Sequence, residues 1–324
     1  MKNIFKIIAT AAVGLAVLSS CSKEQKGGVY TPGEGDGLYT FYRASESDIV
    51  FSPENPELTI QVVRATASGE ATLNLITAQY AGETPCDVID VPATVTFKDG
   101  EYNAYFTVGY KNSIEMNVNY DVVISIADED CTPGGISSTS FGASRAFDWK
   151  SIGKGQFYDE NAYLDAEWDA ETGALLKVND YNVQEVEIMQ AYNANTNEDY
   201  QRWRVVNPFG NREEMVWPAA NLADSYSQVW EFFVVNEETG AINYSVINPG
   251  INHSAYGPMS YGMPGNFSSA GFTNENLKMI QNNLANLSPM VYVSAGYFGV
   301  YPTYVSLPGG PDLEQDILPL VYKM

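Results

Sequence analysis

Between residues 58 and 126 the chain is cut into short runs in which apolar and polar residues alternate, and that period of two limits what it can become. The runs are Leu58-Thr-Ile-Gln-Val-Val, Ala71-Thr-Leu-Asn-Leu-Ile, Ala93-Thr-Val-Thr-Phe, Tyr105-Phe-Thr-Val-Gly-Tyr and Tyr120-Asp-Val-Val-Ile-Ser-Ile. Successive side chains of a strand face opposite ways, so each run gives a strand with one apolar face. Repeated short strands with turn residues between them predict a β-sandwich over residues 38–148. Asp99-Gly100 predicts a tight hairpin, because glycine accepts positive φ.

Residues 149–324 read as a second β-rich domain of different composition. All five Trp fall at or after position 149. Apolar runs at 182–192, 203–206, 229–235 and 242–247 predict strands, and Ala170-Glu-Thr-Gly173 and Glu237-Glu-Thr-Gly240 predict hairpin turns. Leu277, Ile280, Leu284 and Leu287 share a helical spacing behind Thr273, a capping residue type, with Ser288-Pro289 as a stop. This predicts one short amphipathic helix. The stretch 290–301 reads as final strands, and 248–272 as a long connection. The expected fold class is therefore mainly β, a sandwich followed by a second β domain with one helix.

The first 37 residues read as an address and a tether. Lys2 and Lys6 precede an apolar stretch, Ile7 to Leu18, that is shorter than the roughly 20 residues a membrane-spanning helix needs. The segment ends in Leu18-Ser-Ser-Cys21, which resembles a bacterial lipobox. The resemblance implies a signal peptide over 1–20 and diacylation of Cys21, with a lipid anchor held by several acyl chains. Residues 21–37 are polar and Gly-rich and read as a flexible tether. Lys23-Glu24 resembles the signal that sends Bacteroidota-type lipoproteins to the outer surface, which implies an outer-membrane, cell-surface protein, the periplasmic face being the alternative.

The runs around Val62, Gly69-Glu-Ala-Thr-Leu73, Pro92-Ala-Thr-Val-Thr-Phe-Lys-Asp-Gly-Glu101 and Tyr120-Asp-Val-Val-Ile124 resemble a Calx-beta or related immunoglobulin-like repeat. In calcium-exchanger members of that family, acidic loops bind calcium. The comparable residues here are Asp128-Glu129-Asp130, one cluster where calcium takes six to eight oxygens, and they read as a solvated acidic strand end. Ile152-Gly-Lys-Gly, Val206-Asn-Pro-Phe-Gly210 and the closing strands resemble the second domain of Bacteroidota-type surface lipoproteins, which implies no particular chemistry. Cys86 and Cys131 follow strands whose count places them at opposite ends of the sandwich, which predicts two free thiols.

Charge and composition narrow the function. Lys+Arg number 17 against 40 Asp+Glu, a net −23, and removal of residues 1–20 takes away two Lys and leaves 15 − 40 = −25. Such an excess of acid disfavours nucleic-acid binding. One His, His253, leaves little room for His-based metal or acid-base sites, and no Walker loop, Gly-x-Ser-x-Gly elbow or His-Glu-x-x-His is present. No cofactor and no metal are implied. Asp165 and Glu167 would lie on one strand face about 6.6 Å apart, within reach of a carboxylate-pair glycosidase, though most such pairs are solvated.

Aromatic side chains carry the stronger expectation, since Tyr and Trp combine a flat apolar face with a polar edge that suits a sugar ring. Trp230 and Trp203 alternate with apolar residues and read as core. Trp168 abuts a turn and Trp217 precedes Pro218, so both read as exposed. Tyr256 and Tyr261 fall in the long 248–272 connection, which reads equally as a binding loop and as a lid over the core. The candidate ligand-binding residues are thus Trp168, Trp217, Tyr256 and Tyr261. The expected function is a non-enzymatic binding module for glycan, with a polysaccharide ligand and an outer-membrane transporter or envelope proteins as partners. A structural or adhesive envelope component is the alternative, and a glycoside hydrolase the third.

Overall fold

The computed structural model describes residues 31–323, apart from 212–213, 217–220, 254–255 and 294–295. Cys21 and Trp217 therefore lie outside the described residues. The chain divides between Ala146 and Phe147 into two compact units, and strand dominates both.

The first unit is a sandwich. One sheet runs Tyr39–Phe41, Leu58–Arg64, Asn103–Tyr110, Ile89–Asp90; the other runs Ile49–Phe51, Ser138–Arg145, Asn119–Ser125, Ile76–Ala81, Thr84–Pro85. Ile60, Val62, Phe106 and Val108 from the first sheet meet Val122, Ile124 and Phe141 from the second in one buried cluster. The alternation seen in the sequence is the alternation of this burial. Two local expectations change. The run 71–76 is two strands: Ala71–Asn74 pairs with Thr94–Phe97, while Ile76–Ala81 joins the five-stranded sheet. Asp99-Gly100 is a turn with Gly100 at φ +84°, but Thr94–Phe97 and Asn103–Tyr110 pair with other strands and form no hairpin. Buried Arg64 ties the loops here together. It donates to the carbonyls of Glu101 (2.6 Å), Gly69 (2.8 Å), Ala67 (3.0 Å) and Lys98 (2.7 Å), with its guanidinium 5.2 Å over the Phe97 ring.

The second unit is built on a closed antiparallel barrel of eight strands: Asp148–Asp159, Gln184–Asn193, Glu198–Val206, Val229–Asn236, Ala241–Tyr244, Lys278–Gln281, Leu284–Asn286 and Thr303–Ser306. Gln156 pairing with Ser306 and Asp159 with Thr303 closes the ring. Gly155 makes this closure possible: a Cβ there would stand 2.4 Å from the Ser306 carbonyl and 2.8 Å from Ile188. The interior is packed with Phe157, Ile188, Val205, Trp230, Phe232 and Val305, as expected when eight strands leave room only for side chains. Trp230 and Trp203 are core, as their alternation indicates.

Three hairpins share one loop chemistry. Asp169-Ala-Glu-Thr-Gly173, Asn193-Ala-Asn-Thr-Asn197 and Asn236-Glu-Glu-Thr-Gly240 each open with an Asx side chain that accepts a backbone N–H within the turn and end on a residue at positive φ. The first and third are the turns the sequence predicts.

The helix expected after Thr273 is a hairpin instead. Lys278–Gln281 and Leu284–Asn286 pair around Asn282-Asn283, with Asn283 at φ +63°. Leu277, Leu284 and Leu287 are buried but Ile280 is 46% exposed, so the four do not share a face. Short helices occur elsewhere, at Glu160–Tyr163 and Leu318–Val321. The 248–272 segment is not a long connection either. It holds the strands Asn252–His253 and Gly257–Gly262 and a 3-10 segment Pro264–Ala270, and with Met290–Val293 and Gly296–Val300 it makes a four-stranded sheet outside the barrel.

Candidate functional site

The barrel strand Asp148–Asp159 runs directly into the helix Glu160–Tyr163, and Asp159 makes the join. Its Oδ1 accepts from the Ala162 amide (2.9 Å) and from the Tyr261 hydroxyl (2.7 Å), and its Oδ2 accepts from the Thr303 hydroxyl (2.6 Å). The residue is withdrawn from solvent, and burial pushes its carboxyl up to about 6 against the pull of those hydrogen bonds toward the charged form.

The next two residues face a cleft of about 450 Å³. Glu160 accepts a hydrogen bond from the Tyr322 hydroxyl, and burial raises its carboxyl above the usual range. The Tyr322 hydroxyl lies 2.9 Å from that of Tyr158, and the Tyr322 ring stacks on Tyr181 with centroids 5.6 Å apart. Asn161 donates to the Tyr261 hydroxyl at 3.1 Å, which links the cleft to buried Asp159. Leu164, Val216, Val300 and Tyr301 supply an apolar wall, and Trp168 stands at the edge, 49% exposed.

The fold delivers Trp168 by a separate route. It ends the strand Asp165–Trp168, which pairs with Leu175–Asp180 across the Asp169 turn in a hairpin outside the barrel. Asp169 Oδ1 accepts from the Glu171 amide, the Thr172 amide and the Thr172 hydroxyl at 3.1, 2.7 and 2.7 Å. These bonds hold its carboxyl below the usual range and fix the turn that follows Trp168.

Of the residues expected at a site, Trp168 is in the cleft and exposed. Tyr261 is not a surface residue: its side chain is fully buried among Phe209, Trp230 and the Asp159 carboxylate, because its strand packs onto the barrel end. Its face is therefore closed to a ligand. Tyr256 is exposed on the small sheet, stacked on His253. Asp165 and Glu167 are both exposed, Asp165 accepting from Asn179 at 3.4 Å and Glu167 pairing with Lys177 at 3.6 Å. Neither lines the cleft, where Glu160 is the one carboxylate among the described residues. The two flanking carboxyl groups that most glycoside hydrolases use are not both found among the described lining residues. Asp128, Glu129 and Asp130 form a 3-10 turn with none of the three buried, and among the described residues no group of three or more His, Cys, Asp or Glu converges. Cys86 and Cys131 carry free thiols.

Sequence reading missed Glu160, Asn161 and Tyr301. The polar Asp-Glu-Asn after the alternating strand marks a strand end but not what it faces. Another cleft, of about 510 Å³, is lined by Trp203 and Glu237, but Trp203 is only 8% exposed and offers no free ring face.

No protein family matches the chain, and no curated protein does. Among solved structures, the calcium binding domain CBD12 of CALX1.1 is similar at 13% identity over 48% of this chain and 77% of that one, and CBD12 from CALX1.2 at 11% over 57% and 90%. An auxiliary nutrient binding protein from Bacteroides thetaiotaomicron is similar at 9% identity over 81% and 89%. The TM-score is 0.26 in all three, and nothing about ligand or activity follows from them.

Proposed function

We propose that this protein is a lipid-anchored, non-enzymatic binding module of the bacterial outer surface, and that its barrel unit takes glycan in the cleft beside Trp168. The observation that carries the reading is the exposed Trp168 indole at the rim of a cleft whose floor presents Glu160 and Asn161. An indole face stacks on the C–H face of a sugar, while a carboxylate and an amide satisfy its hydroxyls. Binding without turnover accords with Glu160 being the one carboxylate among the described lining residues of the cleft. Acylation at Cys21 and the polar stretch to residue 37 would hold the module at the membrane, where a transporter or envelope protein is the natural partner for a captured polysaccharide.

Isothermal titration of the full chain against a polysaccharide panel tests this. At least one glycan binds, and Trp168→Ala weakens it about tenfold or more, roughly 1.4 kcal/mol. Failure of every glycan to bind, or an affinity indifferent to Trp168→Ala, contradicts the reading. Cys21→Ala is expected to shift the protein from the membrane to the soluble fraction.

A further inference from the structure

A group of aromatic rings on the small sheet stands next to the cleft. His253 stacks on Tyr256 with centroids 4.8 Å apart, and Phe298 meets both, at 5.0 Å from His253 and 6.5 Å from Tyr256. Tyr256 is 56% exposed and offers its ring to solvent, while half-buried His253 and Phe298 back it, Phe298 also packing against the barrel core. Phe298 belongs to the strand Gly296–Val300, whose last residue lines the cleft. Tyr301, also in the cleft wall, donates its hydroxyl to the Phe298 carbonyl at 3.3 Å. Cleft and rings are therefore joined through residues 298–301, a span of at most about 10 Å at roughly 3.3 Å per residue. That is more than one sugar ring covers.

We infer that the cleft continues onto His253, Tyr256 and Phe298 as a second subsite, and that the occupant is an uncharged linear oligosaccharide laid from Trp168 past Tyr301 to Tyr256. This rests on the glycan reading of the cleft and adds its ligand class. Length follows because Val300 and Tyr301, which line the cleft that Trp168 borders, stand two and three residues from Phe298 in the ring group. Absence of charge follows from the lining: Glu160 is present, no Lys or Arg is among the described lining residues, and the whole chain carries −23. An acidic sugar would meet repulsion with no cation to offset it.

The test titrates cello-, malto- and xylo-oligosaccharide ladders of two to six units, and an oligogalacturonate ladder, into the full chain, Trp168→Ala, Tyr256→Ala and a control, Tyr105→Ala. Tyr105 is exposed on the sandwich unit. At least one neutral ladder tightens about tenfold or more from two to five units. Tyr256→Ala cuts that gain to under threefold, Trp168→Ala weakens every length, and Tyr105→Ala matches the parent. If short sugars bind through Trp168 but affinity does not grow with length, or grows undiminished in Tyr256→Ala, the second subsite is wrong and the glycan reading stands. Preference for oligogalacturonate overturns the uncharged class. Failure of all ladders overturns both.

Discussion

The Tyr261 hydroxyl donates to Asp159 Oδ1 at 2.7 Å, with both side chains withdrawn from solvent. A tyrosine that the sequence offers as a candidate ligand-binding residue, on a connection that reads equally as binding loop and lid, is thus half of an internal bond that joins the small sheet to the end of the barrel. Tyr261→Phe keeps the ring and removes the donor, and also takes away one hydrogen-bond acceptor of Asn161. The expected cost is about 1–3 kcal/mol, the range for leaving a buried polar group short of a partner. Chemical denaturation of the two proteins, with an unchanged m-value, checks it.

Asp159 also makes stability depend on pH. Its carboxyl is raised to about 6 in the fold, so the folded chain holds the proton more tightly than the unfolded chain between the ordinary carboxylate range and that value. The stability this adds is complete below the ordinary range and is lost as pH rises through about 6. Relative to Asp159→Asn, the parent is expected to lose stability as pH rises from about 4 to 7. Parallel profiles for the two proteins would show that the group does not titrate there.

Arg64 is the corresponding anchor of the sandwich unit. Four carbonyl acceptors on two loops converge on one guanidinium. Arg64→Ala leaves them without this donor and is expected to cost about 1.5–3 kcal/mol, the scale of hydrogen bonds made by a charged group. Arg64→Lys recovers little, because an ammonium cannot reproduce the planar fork. Thermal melting of both variants measures this.

The hairpin at 282–283 separates two readings of one sequence. Asn283→Val puts a β-branched residue at φ +63° and is expected to cost about 1–2 kcal/mol. Ile280→Glu, at an exposed position, is expected to change stability by less than about 0.5 kcal/mol. An amphipathic helix would reverse the order, since Ile280 would then lie on its buried face.

That reversal shows where the sequence stops being legible. Strands such as Leu58–Arg64 and Gln184–Asn193 are visible because one face is core and the other solvent, so burial itself is periodic. Leu277, Ile280, Leu284 and Leu287 fit a helix by spacing alone, and Asn282-Asn283, the turn that decides against it, carries less weight in a periodicity than four apolar residues do. At the site, Trp168 is legible because it abuts a turn. Glu160 and Tyr301 are not, because barrel closure brings together residues some 140 positions apart, and no local pattern encodes that pairing. Tyr261 misleads for the same reason: its burial depends on Asp159, about a hundred residues earlier.

The central claim, that a sugar stacks on Trp168, is tested most directly by fluorine NMR of protein labelled with 5-fluorotryptophan. The chain has five Trp, so its resonances can be assigned by single Trp→Phe replacements. Titration with the glycan that binds in the calorimetric panel is expected to move the Trp168 resonance saturably while those of buried Trp203 and Trp230 stay in place. A Trp168 resonance that does not move at saturating glycan, or shifts confined to other tryptophans, would contradict the account.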